Sequence, residues 1–274
     1  VTASPDPADR RRPIGVFDSG VGGLTVASAL MRRLPGESIL YLGDTARLPY
    51  GTKSAATVGR YTRRNVDFLV ARGVKAVVVA CNTASALALD GFTEPVPTWG
   101  VIEPGAETAV AATRGRVGVL ATESTIASGA YERSIRRRAP GVEVMSQPCP
   151  LFVPLVEEGW VEDPVTRQVA DRYLEPLLAA GVDTLVLGCT HYPVLEPLLG
   201  ELAGDAVTLV DSAEAMARTV EHELGVLDLL ADGGKPRHHL CVTDLCDRFQ
   251  RIARQLLDPR VVDVDAVPLE LVEV

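Results

Sequence analysis

Two cysteines stand at matched points of one repeated construction. Arg72-Gly-Val-Lys-Ala-Val-Val-Val-Ala-Cys81-Asn-Thr83 and Ala180-Gly-Val-Asp-Thr-Leu-Val-Leu-Gly-Cys189-Thr-His191 each pass from Gly-Val through an apolar stretch to a cysteine eight residues after the glycine. Such a run reads as a buried strand handing over to a helix. A thiol at that junction feels the positive end of the helix dipole, which favours thiolate, so each cysteine could act as a base or a nucleophile. Cysteine is also a small hydrophobe at home in a sheet core. Packing alone gives no reason for two at equivalent points, each followed by a polar pair, Asn82-Thr83 or Thr190-His191. An earlier pair repeats at nearly the same offset: Ile14-Gly-Val-Phe-Asp-Ser19 matches Val117-Gly-Val-Leu-Ala-Thr122, and each closes on a hydroxyl. The pattern predicts two α/β halves related by duplication, facing each other across a cleft that each supplies with a thiol.

Other residues near these points could serve the same chemistry. Phe17-Asp-Ser-Gly-Val-Gly-Gly-Leu-Thr25 reads as strand, glycine-rich loop and helix. It lacks the Gly-Lys-Ser/Thr ending of a nucleotide P-loop and the spacing of a dinucleotide fingerprint, yet it can aim amide N–H groups at a carboxylate. Asp18 is either the cap of that turn or a proton acceptor near a thiol. Leu42-Gly-Asp-Thr-Ala-Arg-Leu-Pro-Tyr-Gly51 is either a structural turn or, through Pro49, Tyr50 and Gly51, a pocket wall. Tyr50 is large enough to exclude water, and the Gly51 amide can donate to an anion. His191 is either a structural histidine at a helix start or a proton relay for Cys189.

The elements that must hold these residues alternate short apolar runs with segments of helical period, the pattern of βαβ units. Strands are predicted over residues 14–18, 38–43 and 74–80, and helices over 24–34, 55–71 and 84–89. Their apolar continuity fits strands covered on both faces. Residues 92–105, with Pro95, Pro97 and Pro104, break the pattern and mark the boundary. A second set of strands is predicted over 116–120, 142–146 and 184–188, then a helix over 213–223. A final strand-helix-strand over 239–264 is too short for a domain and folds back on the first half. The expected division is residues 13–103 with 213–274, residues 104–212, and a disordered leader over 1–12. The fold class is α/β, with two pseudo-symmetric, doubly wound parallel-sheet domains.

Composition bounds the partners. The chain has 274 residues, 47% apolar and 23% charged, with a net charge of -9. An acidic whole disfavours nucleic acid and anionic membranes and points to a small-molecule or protein partner. Arg10-Arg11-Arg12 and Arg136-Arg137-Arg138 read as solvated faces. No apolar stretch approaches the roughly 20 residues of a spanning helix, and the leader lacks the apolar core of a signal peptide, so the expected location is cytoplasmic. Five cysteines without paired spacing are expected to be free thiols, with Cys149, Cys241 and Cys246 in packing roles. His238-His239 has no accompanying zinc-motif spacing, so no metal is expected. Lysine occurs only at Lys53, Lys75 and Lys235, none in a pyridoxal motif.

Together, Phe17-Asp-Ser-Gly-Val-Gly-Gly-Leu, Gly43-Asp-Thr with Pro49-Tyr-Gly, Ala80-Cys-Asn-Thr-Ala and Gly188-Cys-Thr-His-Tyr-Pro resemble the bacterial glutamate racemases of the aspartate/glutamate racemase superfamily, across nearly everything after the leader. The resemblance implies a cofactor-independent enzyme that interconverts L- and D-glutamate and supplies D-glutamate for peptidoglycan, leaving open a homodimer. It implies that Cys81 and Cys189 form a proton-transfer pair, one on each face of Cα, with Asp18 assisting the first and Glu157 and His191 the second. Glu158 is adjacent to Glu157, and a one-residue shift exchanges them. It further implies substrate contacts at Asp18, Ser19, Pro49, Tyr50, Gly51, Asn82, Thr83, Thr190 and His191, and a carboxylate-binding loop holding Thr122 and Thr125. Competing readings are a racemase for aspartate, a pyridoxal-dependent racemase, a two-lobed solute receptor and a thiol redox protein. The receptor needs no matched thiols, and the redox protein needs a nearby resolving cysteine.

Overall fold

The apolar runs become strands of two parallel sheets. A computed structural model describes residues 7–257 and 263–266. Its strands are β1 (Ile14–Asp18), β2 (Ile39–Gly43), β3 (Ala76–Val79), β4 (Thr98–Gly100), β5 (Arg116–Ala121), β6 (Glu143–Pro148), β7 (Thr184–Gly188), β8 (Thr208–Asp211), β9 (His238–Val242) and β10 (Asp263–Ala266). One sheet runs β10-β9-β2-β1-β3-β4 and the other β6-β5-β7-β8, with every neighbouring pair parallel. Strands β1, β2, β3 and β7 are buried along their whole length, as sheets sandwiched by helices require.

Helices cover both faces of each sheet: α1 (Pro7–Arg10), α2 (Leu24–Arg33), α3 (Ala55–Ala71), α4 (Asn82–Ala88), α5 (Ile102–Ala112), α6 (Glu123–Ser128), α7 (Ala130–Arg138), α8 (Phe152–Glu158), α9 (Pro164–Ala179), α10 (Glu196–Ala203), α11 (Ser212–Val226) and α12 (Asp247–Leu256). Alternate residues of β1 feed separate cores. Ile14 and Val16 pack with Leu24 and Leu30 on one face, whereas Phe17 packs with Val66 and Leu69 on the other. In each sheet the first strand lies inside and the chain winds outward in both directions, β1 between β2 and β3, β5 between β6 and β7. That reversal opens a crevice at the carboxyl ends of the strands, where α/β sheets hold ligands. Ser19 and Cys81 lie at one crevice, Thr122 and Cys189 at the other. The α/β class with two doubly wound parallel sheets is the one predicted.

Two local expectations fail. The predicted break contains β4 and the start of α5. Strand β4 lies at the sheet edge and needs a partner on one side only, so the prolines before it are tolerated; Pro97 still accepts from Val77 N at 2.8 Å. Pro104 falls in the first turn of α5, where a missing N–H is harmless. The leader is not wholly unstructured either: Val1–Asp6 lie outside the described residues, but Pro7–Arg10 forms α1. Its order has a cause in Lys75, whose ammonium is buried and must fill all three donors. Its acceptors are the Glu37 carboxylate, the Leu229 carbonyl at 2.8 Å and the Arg10 carbonyl at 2.7 Å. The arginine runs meet acids, as Arg10 with Asp228 and Arg138 with Glu103. No helix among the described residues is long and apolar enough to cross a membrane.

The tail re-enters the first sheet. Strand β9 pairs with β2, placing Leu240 opposite Tyr41. Leu240, Phe249 and Ile252 are buried in the cluster that holds Ile14 and Val16, and Leu256 packs against it. Burying a side chain of this size contributes about 2 kcal/mol. Truncation before Ala231 is therefore expected to speed amide hydrogen exchange at residues 14–17 more than at 117–120. Faster exchange at 117–120 would contradict this coupling.

Candidate active site

Loops at the carboxyl ends of both sheets enclose a cleft of about 400 Å³. Cys81 and Cys189 both line it, with Ser19, Pro49, Tyr50, Gly51, Asn82 and Thr83 from the first half and Thr122, Glu157, Thr190 and His191 from the second. Asp18 and Thr125 stand buried behind this wall. The matched spacing thus brings the two thiols to one space.

Cys81 caps α4. Its Sγ accepts from Ala84 N at 3.4 Å and donates to Ser19 Oγ at 3.3 Å. The expected depression of its pKa by the helix dipole does not occur. Burial, then the Asp18 charge, push the thiol up to about 12, outweighing the stabilisation from Ser19 and the Ala84 amide. A seven-residue helix cannot offset the loss of solvent around a buried sulfur. Asp18 is itself raised by burial, against the lowering influence of His191 and three backbone amides. Its Oδ2 accepts from Gly20 N at 2.9 Å, and its Oδ1 lies 3.5 Å from Thr190 Oγ1. Asp18 therefore acts on Cys81 through charge, while its own loop's amides hold it and Thr190 reaches it from the second half.

The other side is built differently. His191 Nδ1 lies 3.8 Å from Cys189 Sγ, and His191 Nε2 lies 3.2 Å from Glu157 Oε1. Burial opposes a charged imidazole here, but the Cys189 and Glu157 hydrogen bonds and charges prevail and raise its pKa to about 10. Glu157 is the carboxylate on His191, while Glu158 is exposed at the rim of the cleft. The site thus holds a protonated Cys81 thiol on one side and, on the other, an imidazolium lying between Cys189 and Glu157. That asymmetry supplies proton donors and acceptors from opposite walls.

Hydroxyls also join the halves. Thr83 Oγ1 lies 3.0 Å from Thr122 Oγ1 and 3.2 Å from Thr125 Oγ1. Thr122 is the N-cap of α6 and accepts from Thr125 N at 3.3 Å. The Tyr50 wall hangs on a buried carboxylate, Asp44, which accepts from the Tyr50 phenol, Asn65 Nδ2 at 3.2 Å and Thr243 Oγ1 at 3.1 Å. Sequence reasoning missed Asp44, Asn65, Thr25, Ser124 and Tyr131. Thr25 Oγ1 reaches the Thr190 carbonyl at 3.1 Å, Ser124 Oγ donates to Gly51 O at 2.6 Å, and Tyr131 OH donates to Asn82 Oδ1 at 2.7 Å. Thr25, Ser124 and Tyr131 act across the seam and Asp44 and Asn65 between distant segments of the first half, so no local pattern marks their roles. Cys149 and Cys241 are buried, but Cys246, assigned to packing, is exposed before α12.

The His191–Glu157 pair has a pH signature. A folded-state pKa near 10 against the ordinary 6.5 means its stabilisation is complete below about pH 6.5 and fades as pH rises through about 10. Glu157→Gln is expected to lower the His191 titration midpoint in an NMR experiment. The thermal-midpoint gap between wild type and variant should narrow across the same window. An unmoved midpoint would show that Glu157 does not hold the imidazole's charge.

Known proteins carry the same architecture. Residues 24–220 match the family model described as Asp/Glu/Hydantoin racemase. The chain is 52% identical over 263 residues to a glutamate racemase of Geobacter metallireducens, covering 94% of this chain and 97% of that one. It is similar in structure to a glutamate racemase isoform of Bacillus anthracis, with TM-score 0.91, 40% identity and coverage of 95% and 98%. The glutamate racemase of Francisella tularensis solved in complex with D-glutamate superposes with TM-score 0.89 and 38% identity, over 95% of this chain and 99% of that one. With the family model matching residues 24–220 and the relatives matching across nearly the whole length, the chain belongs to the Asp/Glu/hydantoin racemase family.

Proposed function

We propose that the chain is a glutamate racemase, an isomerase that interconverts L- and D-glutamate without a cofactor and supplies D-glutamate for peptidoglycan. The observation that carries this is that thiols from opposite halves open onto one cleft. Removing the α-proton of an amino acid leaves a carbanion, which requires exclusion of water and fixed donors where charge develops. Tyr50, Pro49, Val153 and Pro154 exclude water, and the Thr83 and Thr122 hydroxyls offer donors. Inversion then needs an acid facing the base across Cα. Cys81 and Cys189 are assigned as that pair, exchanging roles with substrate handedness. Asp18 adjusts the first thiol, and His191 with Glu157 the second. Ser19, Pro49, Tyr50, Gly51, Asn82, Thr83, Thr122, Thr190 and His191 are assigned as substrate contacts, with Thr125 supporting Thr122.

The same reading divides the chain into residues 13–103 with 213–274 and residues 104–212, the glutamate held between them. It places the protein in the cytoplasm, alone or as a homodimer. Protein freed of metal and cofactor is expected to racemise L-glutamate and not L-aspartate. In heavy water, early D-glutamate should carry deuterium at Cα while recovered L-glutamate stays protiated, because the thiol that delivers the proton is the one equilibrated with solvent. Equal early labelling of both pools would mean one base, or an intermediate open to solvent. Cys81→Ala and Cys189→Ala should each lower turnover by about a thousandfold with circular dichroism unchanged. Near-normal turnover in either variant removes that cysteine from the pair.

A further inference from the structure

Asn82 follows Cys81 and lines the cleft, and its side chain is nine-tenths or more buried. Its two amide ends have different surroundings. Oδ1 accepts from Tyr131 OH at 2.7 Å, whereas Nδ2 is buried with no hydrogen-bond partner among the described residues. A buried amide N–H left unpaired is costly and rare. In a wall of a ligand cleft it is a donor waiting for an acceptor.

Tyr131 comes from α7 in the other half, and its place is fixed from two sides. A Cβ at Gly105 would lie 3.1 Å from its hydroxyl, and one at Gly188 would lie 3.0 Å from its Cε2. Two glycines thus leave the ring its room, one of them directly before Cys189. The two ends of an asparagine amide are nearly the same shape, so the partner decides which way it points. A phenol donating its proton takes the oxygen end and turns the NH₂ end to the cleft. Burial holds the Tyr131 hydroxyl well above its ordinary pKa, so it stays protonated and remains a donor. Were the amide reversed, the cleft would meet a carboxylate with a carbonyl oxygen, which repels it.

We propose that Tyr131 is a positioning residue that locks the Asn82 amide with its NH₂ end toward the cleft and so makes it a donor to a substrate carboxylate. The proposal rests on the glutamate reading above. It adds a role that depends on the meeting of the two halves: the second half selects which atom the first half presents.

Tyr131→Phe keeps the ring and removes the hydroxyl, and with it both the lock on Asn82 and a hydrogen bond with Ser212, which the Asn82→Ala background separates. A substrate carboxylate is already charged in the ground state, so this contact is made before proton transfer and most of its loss falls on KM. KM for L-glutamate is expected to rise about tenfold, with kcat within about threefold, as for a hydrogen bond to a charged group. In an Asn82→Ala background, Tyr131→Phe should change KM by less than about twofold, since its effect passes through residue 82. Asn82→Asp tests the same point with Tyr131 intact. The phenol would hold one carboxylate oxygen and leave the other facing substrate, so KM should exceed that of Asn82→Ala. Thermal midpoints accompany each variant, and the Asn82 comparison decides the matter if Tyr131→Phe does not fold. An unchanged KM in Tyr131→Phe, an equal effect in the Asn82→Ala background, or Asn82→Asp binding glutamate as well as wild type would each overturn the proposal. Wild-type protein that fails to racemise glutamate would overturn the functional reading instead.

Discussion

The two halves meet at a point with no space for a side chain. A Cβ on Gly22 would press on Thr190 Oγ1 and lie 2.5 Å from His191 Nδ1, and a Cβ on Gly23 would lie 2.7 Å from Asp18 Cγ. These glycines sit in the loop after β1; Gly22 spares the turn after β7, and Gly23 spares Asp18 at the end of β1. Room, not backbone conformation, is what the positions require. Because the glycine-rich loop fits against the turn that carries Cys189, Thr190 and His191, the second thiol can face the first across about 400 Å³. Thr25 Oγ1, on the next helix, closes the contact on the Thr190 carbonyl.

Closeness of this kind also sets the electrostatics. Removing solvent penalises every charge in the site, and each half answers that penalty with different neighbours. Around Cys81 the available charge is Asp18, of the same sign as a thiolate, so burial and repulsion act together and hold the proton on sulfur. Around Cys189 the neighbours are His191 and Glu157, and the imidazolium survives burial because it has an acceptor at each nitrogen. A duplicated frame therefore need not give duplicated surroundings. The geometry repeats, while the second residue after each cysteine, Thr83 or His191, breaks the symmetry.

Much of this was legible in the sequence because it is local. The strands Ile14–Asp18 and Thr184–Gly188 and the helix Ala55–Ala71 agree with the predicted spans at both ends, each announced by a continuous apolar run or helical period. The thiols were legible because the same spacing occurs twice. What was not legible depends on contacts between distant segments. The short β4 follows two prolines and is a strand only because Val77 and Val79 lie beside it. The helix Pro7–Arg10 is ordered by a lysine 65 residues away in sequence. The acidity of Cys81 was misjudged because a dipole is visible in a sequence and desolvation is not.

Tyr131, Thr25 and Ser124 share one property that hides them from sequence reasoning. Each carries one hydroxyl that crosses the seam to an oxygen in the opposite half. None of these contacts has a charge or a repeat to announce it. Two of the three acceptors are backbone carbonyls, which every residue possesses. The cleft's chemistry is carried by residues with recognisable types, but the distance between its walls is held by residues without them. A racemase of this design, drawing one proton-transfer group from each half, depends on that distance as much as on the thiols. A shift of about 1 Å takes a reacting group out of productive reach, and the hydroxyls along the seam are what oppose such a shift.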